Sequence, residues 1–197
     1  RQGEADIRLP DRADAGDAAH LPGVHVVSAM APVATLSIDA AWTAVGAVPD
    51  PEIPVISVVE LGIVRDVQVA GDGSVDVTVT PTYSGCPATE LIERDIVAAL
   101  ERAGAPAVRV RTQLAPAWTT EWIDPAARAK LRAYGIVPPA EHATNGLRPL
   151  HFVPRALACP RCGSEDTERL SQFGATACKA LYRCRACAEP FEYFKPL

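Results

Sequence analysis

Two Cys-x-x-Cys pairs, Cys159/Cys162 and Cys184/Cys187, enclose 21 residues towards the C-terminal end of a 197-residue chain. Four soft thiolates carried on two short loops suit a tetrahedral ion, most simply zinc. Pro160 stiffens the first turn, and Gly163 follows its second ligand, where positive φ is useful. In the second turn Ala188 stands where glycine is common, so a slightly different turn is expected there. Phe191, Tyr193 and Phe194 predict a short aromatic strand that covers the site. A segment of about 40 residues cannot bury enough apolar area to fold alone, so metal binding must supply much of its folding free energy. The pattern predicts a structural zinc ribbon. A rubredoxin-like four-cysteine iron site and disulfide pairing are the alternatives.

The remainder of the chain is long enough for one ordinary domain. Apolar residues make up 48% and charged residues 22%, the profile of a folded protein. A net charge of −5 argues against nucleic-acid binding, which needs clustered Lys and Arg. Residues 151–197 carry seven Lys/Arg against five Asp/Glu, a small positive excess that reads as solvated surface. No apolar run reaches the ~18 residues of a membrane helix, and the first residues lack the order of a secretory signal. A cytoplasmic location follows, with no membrane partner, and six cysteines are then thiols and metal ligands rather than disulfides.

Residues 1–34 show no periodicity and read as a disordered leader. The only methionine, Met30, stands just before the first regular pattern, so native translation is expected to begin there. A domain is expected over 35–137, a Pro-containing linker over 138–156 and the ribbon over 157–197. Residues 136 and 137 themselves show no regular period. Ser37 is a suitable N-cap, and Ile38, Trp42 and Val45 recur at helical spacing until Pro51 and Pro54 forbid continuation. Val67 and Val69, then Val75, Val77 and Val79, alternate around Gly71-Asp72-Gly73 and predict an antiparallel hairpin. Ala88, Ile92, Ile96, Leu100 and Ala103 mark a helical stripe stopped by Gly104. Val108, Val110, Thr112 and Leu114 predict a third strand. A last helix opens at Asp124-Pro125 and closes at Gly135. The order helix, hairpin, helix, strand, helix gives an α+β fold: two layers, with a small mixed or antiparallel sheet and helices on one face.

Cys86 sits before Pro87, which fits a first helical position, so its sulfur is expected at a helix mouth. Unpaired amides there lower a thiol pKa, and Gly85 permits close approach. Burial against the hairpin, transient iron or cluster ligation, and nucleophilic catalysis are the readings open to it. Catalysis is disfavoured because His20, His25, His142 and His151 fall in the leader and linker, so no catalytic residue is assigned. Cys178, beside Lys179, is either a packed small side chain or a reactive or ligating thiol. Asp50, Glu52 and Glu60 are turn formers, or an acidic cluster facing a metal beside Cys86.

Three segments, Asp50-Pro51-Glu52-Ile53-Pro54-Val55, Leu61-Gly62-Ile63-Val64 and Thr82-Tyr83-Ser84-Gly85-Cys86-Pro87, resemble the small domain shared by SufT and eukaryotic cytosolic iron–sulfur assembly factors. Pro116-Ala117-Trp118-Thr119-Thr120-Glu121-Trp122, Tyr134-Gly135-Ile136-Val137-Pro138-Pro139 and Phe173-Gly174-Ala175-Thr176-Ala177-Cys178-Lys179-Ala180-Leu181, together with the ribbon cysteines, resemble the PaaD (PaaJ) family of accessory subunits of the ring-1,2-phenylacetyl-CoA epoxidase system. The resemblance covers about residues 35–197. It implies a non-catalytic maturation factor in phenylacetate catabolism, whose partners are the oxygenase and reductase subunits and the iron–sulfur assembly machinery. Cys86 and Cys178 are then the candidate transient ligands of iron or an iron–sulfur cluster. Asp50, Glu52, Thr82, Ser84 and Gly85 form the supporting loop, with the Trp118–Trp122 loop on the same face. An electron-transfer protein with the rubredoxin-like site is the competing function.

Overall fold

A computed structural model describes residues 35–139 and 157–196. The expected leader and most of the expected linker lie outside the described residues. Helix α1 (Ile38–Gly46) starts as its chemistry requires, with the Ser37 hydroxyl accepting from the Ala40 amide at 3.2 Å. Its buried face is Ala41 and Val45, while Ile38 is exposed. The helix closes on Ala47, before the two prolines. The following segment turns tightly on Asp50, whose Oδ1 accepts from the amides of Glu52 and Ile53, both at 2.9 Å.

Strands β1 (Val64–Val69) and β2 (Val75–Val79) form the expected antiparallel hairpin. Asp72 fixes its turn by accepting from the Ser74 amide and hydroxyl. Val75, Val77 and Val79 all face the core. In β1 the register shifts between Val64 and Asp66, so Val64 and Val67 are buried, and Val69 only partly. Helix α2 (Thr89–Arg102) buries Ile92, Ile96, Ala99 and Leu100, and the next core contact beyond it is Ala105 rather than the exposed Ala103. Gly104 ends the helix at φ +101. β3 (Val108–Thr112) then lies parallel to β2, giving a mixed sheet in the order β1-β2-β3, with Leu114 outside it and exposed. The α+β two-layer reading is borne out.

Two differences from the expected pattern join the ribbon to this domain. Helix α3 (Pro125–Tyr134) has its Asp124 cap and its left-handed Gly135 stop as expected. The chain then forms β4 (Ile136–Val137), where no regular structure was expected. β4 pairs parallel to β7 (Pro190–Phe194), so the second sheet runs β4-β7-β6-β5, with β5 at Thr167–Ser171 and β6 at Lys179–Cys184. Phe194, expected to cover the metal, is instead fully buried in the core of the α+β domain. Its ring lies 5.8 Å from that of Trp118, whose indole donates to the Leu61 carbonyl at 3.1 Å. A fully buried aromatic side chain contributes about 1.5–3 kcal/mol. The ribbon keeps only Cys159, Cys184 and Phe191 as its own buried cluster.

Gly62 lets the chain at Trp122 approach closely. It sits at φ +72, and a Cβ there would meet Trp122 atoms at 2.6 and 2.7 Å. Gly62→Ala is expected to cost more than about 2 kcal/mol, from the left-handed backbone and the collision together. Gly104→Ala, at φ +101 with nothing within 4 Å, is expected to cost about 1 kcal/mol. Denaturant unfolding of the two variants measures the gap, and equal losses would contradict the contact with Trp122.

Candidate metal centres

The two Cys-x-x-Cys turns bring four sulfurs together as their spacing predicts. The Sγ atoms of Cys159, Cys162, Cys184 and Cys187 all lie within 4.8 Å of one another. Cys159 and Cys187 stand 3.8 Å apart, and Cys162 and Cys184 3.6 Å apart. Cys159 and Cys184 are buried under Phe191, while Cys162 and Cys187 face solvent. Crowded thiols compete for protons. Against the pull of the Ser164 amide, the Cys187 and Cys184 sulfurs push Cys162 up to about 12. The Cys187 amide helps to bring Cys184 down to about 7. A thiol set this close, with backbone amides on its sulfurs, fits a thiophilic divalent ion, which would neutralise the thiolates and tie the two turns together.

The second turn copies the first, contrary to expectation. Ala188 adopts φ 63, matching Gly163 at φ 75. The metal turn therefore imposes the left-handed conformation even without glycine, at a cost of about 1–2 kcal/mol.

A second site lies where the ribbon meets the α+β domain. Asp50, Glu52, Thr82 and Cys86 line one cavity together with Thr176, Cys178 and Phe194 from the ribbon. Ile53, Leu61, Ile63, Val79 and Ile92 are among the side chains that make its apolar wall. Thr176 Oγ1 is 3.0 Å from Cys178 Sγ, and the Thr82 hydroxyl also bonds that sulfur. The loop that carries Cys178 is pinned by a buried ion pair, Lys179 Nζ to Glu192 Oε2 at 2.8 Å. The other oxygen of Glu192 accepts from the Ala175 amide at 3.1 Å. A Cβ on Gly174 would sit 2.5 Å from that oxygen, so a larger residue there would push the carboxylate aside.

The expectation of an exposed, acidified Cys86 needs correction. Cys86 lies two residues before the Ala88 N-cap and is partly buried. The Ala88 amide and the Thr89 hydroxyl do favour its thiolate, as a helix mouth should. Burial outweighs them, and Asp50 and Glu52 add repulsion, so the pKa is raised. Cys178 is likewise pushed up by burial, against the opposing hydroxyls and Lys179. Of the acidic residues, Asp50 is buried in the cavity wall and exposed Glu52 stands at its rim. Glu60 lies elsewhere, accepting from the Ser57 amide and paired with Lys130 at 2.5 Å. Ser84 and Gly85 are exposed and outside the lining. Trp118 supports the site only by packing against Phe194. Trp122 lies under the Arg65 guanidinium, 3.5 Å from its ring centroid. Thr176, Phe194 and the Lys179–Glu192 pair were not read from sequence. Only Cys178, which belongs to neither Cys-x-x-Cys pair, signalled that this loop carries chemistry.

A cysteine-bearing loop at a helix mouth in a small α+β domain, joined to a four-cysteine ribbon, is an arrangement that two family models match. Residues 38–111 match the iron–sulfur cluster assembly protein family, and residues 145–195 match the PaaD zinc beta ribbon domain. A curated Escherichia coli K12 protein, named as the D subunit of a "Putative 1,2-phenylacetyl-CoA epoxidase", is 48% identical over 84% of this chain and 97% of its own length. The chain belongs to that family of epoxidase D subunits. A Porphyromonas gingivalis Fe-S protein maturation auxiliary factor is 36% identical over 42% of this chain and 78% of its own. A Bacillus anthracis crystal structure of a DUF59 domain is 27% identical, covers 47% of this chain and 89% of its own, and superposes with a TM-score of 0.45. Among the described residues no helix is long and apolar enough to cross a membrane.

Two outcomes follow from these geometries. Ala188→Gly relieves the left-handed strain and should stabilise the metal-loaded ribbon by about 0.5–1 kcal/mol, read as a rise in its unfolding temperature. A fall would show that Ala188 is held by packing. Burial raises the Asp50 pKa, so the folded state binds its proton more tightly than the unfolded state. Its contribution is therefore full below the usual carboxylate range and is lost as pH rises through the folded value. Asp50→Asn keeps the Oδ1 acceptor and should flatten stability against pH in that window. An unchanged profile would contradict the burial of charge there.

Proposed function

We propose that the protein is an accessory factor that helps assemble an iron or iron–sulfur centre in a partner subunit of the phenylacetyl-CoA epoxidase, and has no catalytic activity of its own. Kinship with both an epoxidase D subunit and an iron–sulfur maturation factor supports the accessory role. The observation that carries it is the placing of Cys86 in the wall of a cavity rather than at a closed cage. A thiol held there has room for a ligand but lacks the complete donor set of a permanent site. Iron or cluster passing through is substrate, taken up and given away, and Asp50, Glu52 and Thr82 shape its surroundings. Ser84 and Gly85 keep the loop's outer side open to a partner.

The ribbon metal is structural zinc, held by Cys159, Cys162, Cys184 and Cys187. It supplies cross-linking and no redox step, which separates this reading from electron transfer through a rubredoxin-like iron. Pure protein is expected to contain one zinc per chain and no visible absorption. Stoichiometric iron with visible colour in the ribbon would contradict the assignment.

The functional test is co-expression of the epoxidase oxygenase and reductase subunits with this chain. Cys86→Ser is expected to lower the metal-centre content of one partner at least tenfold, with the ribbon zinc retained. Metal content and epoxidase activity equal to wild type would sink the maturation role.

A further inference from the structure

We infer that Cys86 and Cys178 act as one dithiol site, spanning the two modules, for a single thiophilic divalent ion. The inference rests on the reading of Cys86 as a metal-handling residue and specifies the cargo. Both thiols line the same cavity, one reaching it from the loop before α2 and the other from the ribbon loop before β6. The volume open to the centre of a water-sized particle is about 20 Å³. One water needs about 10–15 Å³ by the same measure, so the cavity as it stands has room for one small ion.

Charge leads to the same occupant. Ile53, Leu61, Ile63, Val79, Ile92 and Phe194 surround the thiols, and an uncompensated charge among them is costly. Two thiols that each release a proton to solvent give two thiolates, and these balance one divalent ion. A single thiolate leaves the ion half compensated. Of the two carboxylates in the lining, Asp50 already spends Oδ1 on two amides, and Glu52 stands exposed in solvent at the rim. Thr176 and Thr82 can donate to Cys178 and so steady its thiolate in the loaded state.

Coordination also separates this site from the cage. Among the described residues the ribbon cysteines are the one set of three or more His, Cys, Asp or Glu donors gathered closely enough to hold an ion. Two protein thiolates leave the other positions of a tetrahedral ion to exchangeable ligands, as a site that receives and releases metal requires. The buried Lys179–Glu192 pair holds the ribbon thiol over the cavity. Removal of the ribbon's contribution would leave Cys86 alone.

Cobalt(II) tests the site in the full-length, zinc-loaded protein under anaerobic conditions, because thiolate-to-cobalt absorption reports sulfur ligation. Wild type should bind one cobalt per chain beyond the retained zinc. Cys86→Ser and Cys178→Ser should each weaken that binding tenfold or more. Cys178→Ala, which keeps a small apolar side chain, should do the same with zinc still at one per chain. Absence of a second thiolate-bound ion in wild type would overturn the inference, as would binding unchanged by both Cys178 variants. Should Cys178→Ser still mature the epoxidase partner while Cys86→Ser does not, the dithiol fails and the maturation role stands. Should neither variant affect maturation although cobalt binds as described, the maturation role fails and the dithiol stands.

Discussion

Phe194 belongs by sequence to the ribbon and by packing to the other module, and the remaining architecture depends on that crossing. Its ring fills the core beside Trp118, while β4 carries the α+β domain's chain into the ribbon's sheet. The ribbon's own apolar cluster is Cys159, Cys184 and Phe191, too small to hold a fold without a metal. It gains a second anchor through Phe194, while the ion pair between buried Lys179 and half-buried Glu192 braces β6 against β7 within the ribbon itself. Breaking such a pair by removing one partner typically costs about 3–5 kcal/mol, because the other charge is left buried and unbalanced. Position, more than stability, is what these contacts deliver: they set Cys178 and Thr176 against the loop of Cys86.

Sulfur chemistry is thereby divided between two environments. At the ribbon tip four thiols crowd one point, with backbone amides on the Cys184 sulfur, and the donor set for a tetrahedral ion is complete. At the junction two thiols are raised by burial and remain neutral until something compensates them. The first arrangement suits retention of an ion, and the second is the one proposed to respond to one. Helix-mouth amides alone would have produced a standing thiolate at Cys86, exposed to oxidation. Burial suppresses that thiolate, and the same low-polarity surroundings strengthen its attraction to a divalent ion once water is displaced.

What the sequence disclosed, and what it concealed, follows the range of the interactions involved. Ser37, Asp124-Pro125 and Gly135 act on neighbours a few residues away, so the ends of α1 and α3 were readable. The ribbon cysteines were readable because their spacing is itself the ligand geometry. The β1 register shift near Arg65, the turning of Ile38 away from the core and the exposure of Ala103 depend on which strand or helix lies opposite, and periodicity does not carry that. Ile136–Val137 is too short to show a period and becomes a strand only because β7 is present to pair with it. The pKa of Cys86 was misjudged for the same reason. The helix mouth is local, whereas the desolvating cover over it joins residues from as far back as Asp50 to Thr176, Cys178 and Phe194, which lie 90 or more positions later.

The claim that the ribbon closes the Cys86 cavity is tested most directly by alkylation of the individual cysteines, followed by peptide mass spectrometry. In the metal-loaded protein Cys86 and Cys178 should both react slowly, and stripping the ribbon metal with a chelator should expose both together. Fast labelling of Cys86 in the loaded protein, unchanged by the chelator, would show that the ribbon does not cover it.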